Sequence, residues 1–163
     1  AKPVRRSQLF DALADALGIG SGRATRESRP PALPDLPEAL AGLRLLVVDD
    51  NAVNQKVVVA MLQRLAFEVD VACDGYEAVA AVAQAPYAAV LMDCQMPVMN
   101  GYQATAEIRR REAGASRVPI IALTASALRG DEERCIAAGM DAYLAKPVRI
   151  DSLAEVLTRL LAP

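Results

Sequence analysis

The sequence predicts an α/β protein built on a doubly wound, five-stranded parallel sheet in the order 2-1-3-4-5. Three observations predict it. The runs Leu45-Leu46-Val47-Val48, Val90-Leu91-Met92 and Ala142-Tyr143-Leu144-Ala145 are short and apolar, as strands buried on both faces must be. From residue 43 onward, strand and helix signals alternate through five β-α units, and right-handed crossovers then place helices on both faces of one sheet. Finally, Asp49-Asp50 closes the first run and Asp93 the second. Open α/β sheets build their sites at the carboxyl ends of the strands, and this strand order would bring those aspartates side by side.

Each element has its own signal. Leu43–Val48 is the first strand. A helix near Val53–Leu65 follows, with Val53, Val57, Met61, Leu62 and Leu65 expected on its buried face. Phe67, Val69 and Val71 alternate with Glu68 and Asp70, the pattern of an edge strand. Asp74-Gly75 is a turn and cap for a helix from Tyr76 to Gln84, which Pro86 helps to end. Ala88–Met92 is the third strand. The loop Met96-Pro97-Val98-Met99-Asn100-Gly101 leads into a helix near Tyr102–Glu112, and Pro119 opens the strand Ile120–Leu123. A helix near Gly130–Ala138 stops at Gly139, Asp141–Ala145 is the fifth strand, and Asp151 or Ser152 is expected to cap a last helix carrying Leu153, Val156, Leu157, Leu160 and Leu161.

The first 42 residues differ. Residues 19–42 hold Gly20, Gly22, Pro30, Pro31, Pro34 and Pro37 with little periodicity, and are expected to be a linker. Residues 1–18 repeat part of the chain's end. Ala1-Lys2-Pro3-Val4-Arg5 matches Ala145-Lys146-Pro147-Val148-Arg149, and Leu9, Leu13 and Leu17 match Leu153, Leu157 and Leu161 at the same offset. Such a repeat predicts the terminal helix of a duplicated upstream domain, with the main domain spanning 43–163. The leucine stripe is expected to pack on that domain or to mediate a dimer contact through the N-terminal helix.

Composition narrows the chemistry. Hydrophobic residues make up 53% and aromatics only 4%, so aliphatic side chains must build the core. The formal net charge of −2 gives no case for a nucleic acid partner. No apolar stretch approaches the ~20 residues of a membrane span, and the first residues show no signal-peptide pattern. A cytoplasmic protein without direct membrane contact is expected, within a parent that is membrane-anchored, if at all, through segments outside this sequence. Cys73, Cys94 and Cys135 lack a CxxC spacing and are expected to be buried free thiols; Cys94, beside Asp93, is the candidate if one is redox-sensitive.

The sequence contains no histidine. It therefore forms no Ser-His-Asp triad, no Cys-His pair, no His-ligated zinc and no phosphohistidine. Three carboxylates sharing a pocket repel one another and need a cation, for which a hard, oxygen-seeking ion such as Mg2+ is best suited. Metal, carboxylate and Lys146 together form machinery for a phosphoryl group, whose donor must lie elsewhere.

The segments Leu46-Val47-Val48-Asp49-Asp50-Asn51, Val90-Leu91-Met92-Asp93-Cys94-Gln95-Met96-Pro97, Leu123-Thr124-Ala125 and Gly139-Met140-Asp141-Ala142-Tyr143-Leu144-Ala145-Lys146-Pro147 resemble, in this order, the flavodoxin-like receiver domain of two-component response regulators. The likeness is strongest to receivers carried by hybrid sensor histidine kinases, and the fragment Lys2–Leu17 resembles the tail of a second receiver upstream. The resemblance implies that Asp93 is the phospho-acceptor, taking a phosphoryl group from a phosphohistidine. It implies Mg2+ held by Asp50 and Asp93 directly, by Asp49 through water, and by the backbone carbonyl of Gln95. Lys146 would pair with Asp93 at rest and with the phosphoryl oxygens afterwards. Thr124 would supply a hydroxyl donor, Tyr143 would be the switch aromatic that follows Thr124, and the bond before Pro147 would be cis.

The implied partners are a histidine kinase domain as donor and a histidine phosphotransfer domain as acceptor. The fragment itself is no kinase and would catalyse only its own phosphorylation and dephosphorylation, and no DNA-reading segment is expected after Pro163. Asn100 stands where many relatives carry Asp, in a loop away from the nucleophile. Gln95 and Ser126 occupy positions that tune phosphoryl lifetime in the family. Two other readings compete. One is a Mg2+-dependent phosphohydrolase with an aspartyl nucleophile, which needs a second Asp where Gln95 stands. The other is a receiver-like interaction module that is never phosphorylated.

Overall fold

A computed structural model describes residues 32–126 and 128–163. The helix expected within residues 1–18, and most of the linker, lie outside the described residues. Five strands, β1 (Arg44–Val48), β2 (Glu68–Ala72), β3 (Ala89–Asp93), β4 (Ile120–Thr124) and β5 (Ala142–Ala145), alternate with five helices, α1 (Ala52–Arg64), α2 (Gly75–Gln84), α3 (Gly101–Arg111), α4 (Arg129–Ala138) and α5 (Ile150–Leu161). All strand pairs are parallel, in the order β2-β1-β3-β4-β5. This is the doubly wound fold the alternation of apolar runs predicts.

Strand alternation divides the core into two layers. Leu45, Val47, Leu91, Ile121 and Leu123 face one side, where Val58 and Leu62 of α1 and Leu153 and Leu157 of α5 cover them. Leu46, Val48, Val90, Met92, Ile120 and Ala122 face the other, against Ala78 and Val79 of α2, Ala104 and Ile108 of α3, and Cys135 of α4. The strands β1, β3 and β4 are buried along almost their whole length, which is why their sequences read as unbroken apolar runs. At the edge, β2 is only partly covered: Val69 packs on the first core layer and Ala72 on the second, while Val71 is exposed.

Three details differ from the sequence-based expectations. On α1, Val53 is 69% and Val57 48% exposed, while Val58, Leu62 and Leu65 are buried. The helix carries apolar residues on more than one stripe, and the sheet covers only the stripe spaced i, i+4, i+7 from Val58. Secondly, residues 38–40 form a 3-10 turn, Leu40 is 2% exposed within the first core layer, and Leu36 packs against it. The Gly42 amide donates to the Ala66 carbonyl at 2.7 Å, so packing begins ahead of Leu43. Thirdly, α5 starts at Ile150 after Arg149 without a side-chain cap, so neither Asp151 nor Ser152 fills that role. The helix α4 also starts without a side-chain cap, after Leu128, whereas Asn51 opens α1, Asp74 opens α2, and Asn100 with Gln103 forms a capping box on α3.

At the amino-terminal end of β4 a guanidinium ties three backbone segments together. Arg109 of α3 donates from Nε to the Gly139 carbonyl at 2.9 Å, and from its terminal nitrogens to the Val118 carbonyl at 2.9 Å, to Glu112 at 2.6 Å and to Asp141 at 2.7 Å. Asp141 in turn accepts the Ile120 amide at 2.9 Å, and Glu112 the Val118 amide at 2.8 Å. The network anchors the sheet at the end remote from the aspartates.

Candidate functional site

Parallel pairing brings the carboxyl ends of β1, β3, β4 and β5 to one edge of the sheet. Val48 lies opposite Met92, Asp93 opposite Leu123, and Thr124 opposite Ala145. The next residues of β1 and β5, Asp49 and Lys146, therefore project beside Asp93. Asp49 is 1% and Asp93 5% exposed, whereas Asp50 is exposed. One carboxylate oxygen from each of Asp49, Asp50 and Asp93 lies within 4.8 Å of the others.

Lys146 offsets part of the cluster's charge. Its Nζ lies 3.1 Å from Asp49 Oδ2 and 3.1 Å from Asp93 Oδ2. The sequence reading anticipated the second contact but not the first. The remaining oxygens have backbone donors: Asp49 Oδ1 accepts the Asn51 amide at 2.8 Å, and Asp93 Oδ1 the Gln95 amide at 3.1 Å. These bonds, with Lys146, fix both carboxylates.

Burial pushes the Asp93 carboxyl above the usual range; the Gln95 amide and Lys146 oppose that rise, and the Asp49 charge adds to it. Burial alone would lower Lys146, but its hydrogen bonds to Asp49 and Asp93 outweigh that and raise it. The lysine thus gains from the pair while Asp93 on balance does not. A pocket with two buried carboxylates and one monovalent cation is short of positive charge. Hard oxygen donors, converging and only partly compensated, suit Mg2+, so the residues present fit such an ion.

Two glycines let the loops close on this edge. Gly101 opens α3 against the backbone of Asp93 and Cys94, where any Cβ would overlap the Asp93 carbonyl oxygen. Gly75 opens α2 against Met99, whose atoms a Cβ would meet at 2.6 to 2.9 Å. Gln55 was not foreseen: its side-chain amide donates to the Asp49 carbonyl and reaches the Ala72 carbonyl at 3.5 Å, tying the ends of β1 and β2. Nothing in the local sequence distinguishes it from any other glutamine on a helix.

The remaining predicted residues sit around the rim. Thr124 is buried at the end of β4, and its hydroxyl donates to the Ser126 carbonyl at 2.7 Å. Tyr143 lies outward on β5, its hydroxyl 3.4 Å from Glu132 of α4. The Lys146–Pro147 peptide bond is cis. A polar cleft of about 410 Å³ separates the loop after β3 from the loop after β4, with Gln95, Thr124, Ser126 and Arg134 among its walls. Across it Arg134 stacks over the Tyr102 ring at 4.9 Å.

The cysteines correct one expectation. Cys94 and Cys135 are buried, with their sulfurs 4.0 Å apart, but Cys73 is exposed because it follows the wet edge strand β2. Burial, aided by neighbouring Cys135, pushes the Cys94 thiol up to about 12, so it is a packing group and a poor nucleophile.

A doubly wound sheet with converging aspartates and a lysine at one edge is the architecture of a receiver domain, and the comparisons agree. Residues 45–158 match the response regulator receiver domain family, and the chain belongs to it. It is 39% identical over 161 residues to the sensor protein GacS of Pseudomonas syringae, covering 98% of this chain and 17% of that protein. It is 37% identical over 129 residues to the hybrid signal transduction protein dokA of Dictyostelium discoideum, covering 79% of this chain and 8% of that protein.

Among solved structures, the receiver domain of a sensor histidine kinase from Pseudomonas aeruginosa, with magnesium in its active-site cleft, shares 50% identity at a TM-score of 0.69. The match covers 76% of this chain and all (100%) of that one. A histidine kinase receiver from Arabidopsis thaliana, complexed with Mg2+ and BeF3−, shares 36% at 0.70 over 80% of this chain and 97% of that one. The receiver of a Saccharomyces cerevisiae response regulator, co-crystallised with its histidine phosphotransfer protein, shares 29% at 0.71 over 75% of this chain and 90% of that one. The chain spans between 4% and 18% of the length of the curated relatives it matches. It is a receiver domain of two-component phosphorelay signalling, similar to those of hybrid histidine kinases. No helix among the described residues is long and apolar enough to cross a membrane.

Proposed function

We propose that Asp93 accepts a phosphoryl group from the phosphohistidine of a histidine kinase domain and passes it to the histidine of a phosphotransfer domain. A carboxylate oxygen of Asp93 forms the new P–O bond as the P–N bond of the phosphoimidazole breaks. The observation that carries this reading is the convergence of Asp49, Asp50 and Asp93 on one small volume, with Lys146 bridging the two buried members. The absence of histidine from the sequence requires an external donor.

Asp50 and Asp93, the Gln95 carbonyl, and Asp49 through water would hold Mg2+, which when bound neutralises charge on the incoming phosphoryl group. Lys146 exchanges its bond to Asp93 for one to a phosphoryl oxygen. Thr124 releases the Ser126 carbonyl and turns its hydroxyl toward the phosphoryl group. Tyr143, held outward beside Glu132, then moves into the space Thr124 vacates. The parent protein is proposed to be a hybrid sensor histidine kinase, and residues 1–18 the end of a second receiver in it.

Transfer profiling tests the reading. Purified histidine kinases and phosphotransfer proteins, each phosphorylated on histidine, are mixed with the chain and with its Asp93→Asn variant. Rapid labelling of the wild-type chain by a subset of donors, with none of the variant, is expected. Absence of transfer from every donor, or equal labelling of the variant, overturns it.

A further inference from the structure

We infer that Cys94 and Cys135 form a site of reversible oxidation, where a disulfide fastens α4 to the end of β3. The two residues are 41 positions apart in sequence, yet their sulfurs lie 4.0 Å from one another. Both are buried, whereas the third cysteine, Cys73, is exposed at the end of β2. Neither sulfur belongs to the acidic cluster, although Cys94 follows Asp93 directly.

The pair matters because of what holds α4. Of the ten residues in this helix, Cys135 alone is buried. The helix starts without a side-chain cap, carries Gly130 in its first turn, and leaves Leu128 and Ile136 exposed. Its other side chains reach their neighbours at the surface. Arg134 stacks on the Tyr102 ring at 4.9 Å, and the Tyr143 hydroxyl lies 3.4 Å from Glu132. A helix that buries one small side chain opens locally at low free energy. Cys94 is fixed by contrast. Its amide donates to the Leu123 carbonyl at 3.1 Å, and its carbonyl accepts the Gly101 amide at 3.2 Å.

While α4 is docked, burial holds the Cys94 thiol protonated, and it only packs. Opening of α4 carries Cys135 into water and uncovers Cys94, and both then react as ordinary thiols. The oxidant is a low-molecular-weight disulfide. The Cys135 thiolate attacks one of its sulfurs, which forms a mixed disulfide and releases one small thiol. As α4 returns, the Cys94 thiolate attacks the Cys135 sulfur and the second small thiol leaves. Two protein thiols are oxidised, one external disulfide is reduced, and both protons end on the released thiols. Bond formation draws the sulfurs to about 2 Å, a short approach for a helix held this loosely. The crosslink then removes the opening that made it, so the mobility of α4 depends on its redox state.

The test uses the full chain carrying Cys73→Ser, which leaves only the buried pair. It is equilibrated in glutathione buffers of rising oxidised-to-reduced ratio, acid-quenched, alkylated and mapped by mass spectrometry without reduction. An intramolecular Cys94–Cys135 disulfide that dithiothreitol reverses is expected. In the oxidised chain, amide hydrogen exchange in α4 should slow by about 10-fold or more, and the melting temperature should rise by about 10 °C. Adding Cys135→Ala should abolish the internal disulfide and both of these changes. Thiols that stay reduced in fully oxidised glutathione overturn the inference. So does a disulfide formed only between chains, or one that leaves α4 exchange unchanged or lowers the melting temperature.

Discussion

Lys146 Nζ and Asp49 Oδ2 meet at 3.1 Å across 97 residues of sequence, and the same ammonium lies 3.1 Å from Asp93. One monovalent cation thus serves two buried carboxylates and occupies ground that a divalent ion would compete for. Replacing Lys146 with Ala is expected to tighten Mg2+ binding by about 3- to 10-fold, the size of one displaced charge near a protein surface. Labelling of Asp93 by acetyl phosphate should slow in the same variant. Isothermal titration with Mg2+ measures the first effect, and weaker binding would contradict it.

The burial of Asp93 comes at a cost to stability. Its folded-state carboxyl is raised by burial, with Asp49 adding to the rise. A raised acid binds its proton more tightly when folded, so its contribution is full below the unfolded value of 3.8 and is lost as pH climbs through the folded value. At neutral pH in chelator, Asp93→Asn is expected to melt higher than wild type, and the difference should vanish in acid. A lower melting temperature at neutral pH would show that the Lys146 pair outweighs burial.

Arg109 makes four contacts from one planar fork, a set that a lysine ammonium does not reproduce, and Arg117 also reaches two of the acceptors, the Gly139 carbonyl at 2.9 Å and Asp141 at 3.0 Å. Arg109→Ala removes the cation from Glu112 and the donor from the Val118 carbonyl, leaves Gly139 and Asp141 to Arg117 alone, and is expected to destabilise the fold by about 3 kcal/mol. Arg109→Lys should recover less than half of that. Urea denaturation measures both, and full recovery by lysine would refute the geometric argument.

Leu40 lies in the core although it precedes the first strand. Leu40→Ala is expected to cost about 2–4 kcal/mol, as for other buried leucines. A chain beginning at Leu43 should be destabilised at least as much relative to one beginning at Leu33. Equal melting of the two truncations would place residues 33–42 outside the folded domain.

The strand order and the clustering of Asp49, Asp50 and Asp93 were legible because local signals carried them. Apolar runs mark buried strands, and acidic residues at their ends mark the edge where sites form. The phase of α1 was not legible. Val53 and Val57 compete with Val58 and Leu62 for the same sheet, and spacing alone does not choose between two apolar stripes. Arg109 with Gly139, Gln55 with Asp49, and Lys146 with Asp49 were hidden for another reason. Each joins positions with no shared local pattern, and only the assembled sheet brings them together. Thr124 was recognisable as a site residue, but its bond to the Ser126 carbonyl depends on the turn of one loop.

Intact-mass and peptide analysis after incubation with acetyl phosphate and Mg2+ tests the central claim most directly. One acid-stable, base-labile phosphoryl group on Asp93, abolished by chelator and by Asp93→Asn, is the predicted result. Incorporation at another residue, or no dependence on Mg2+, would contradict it.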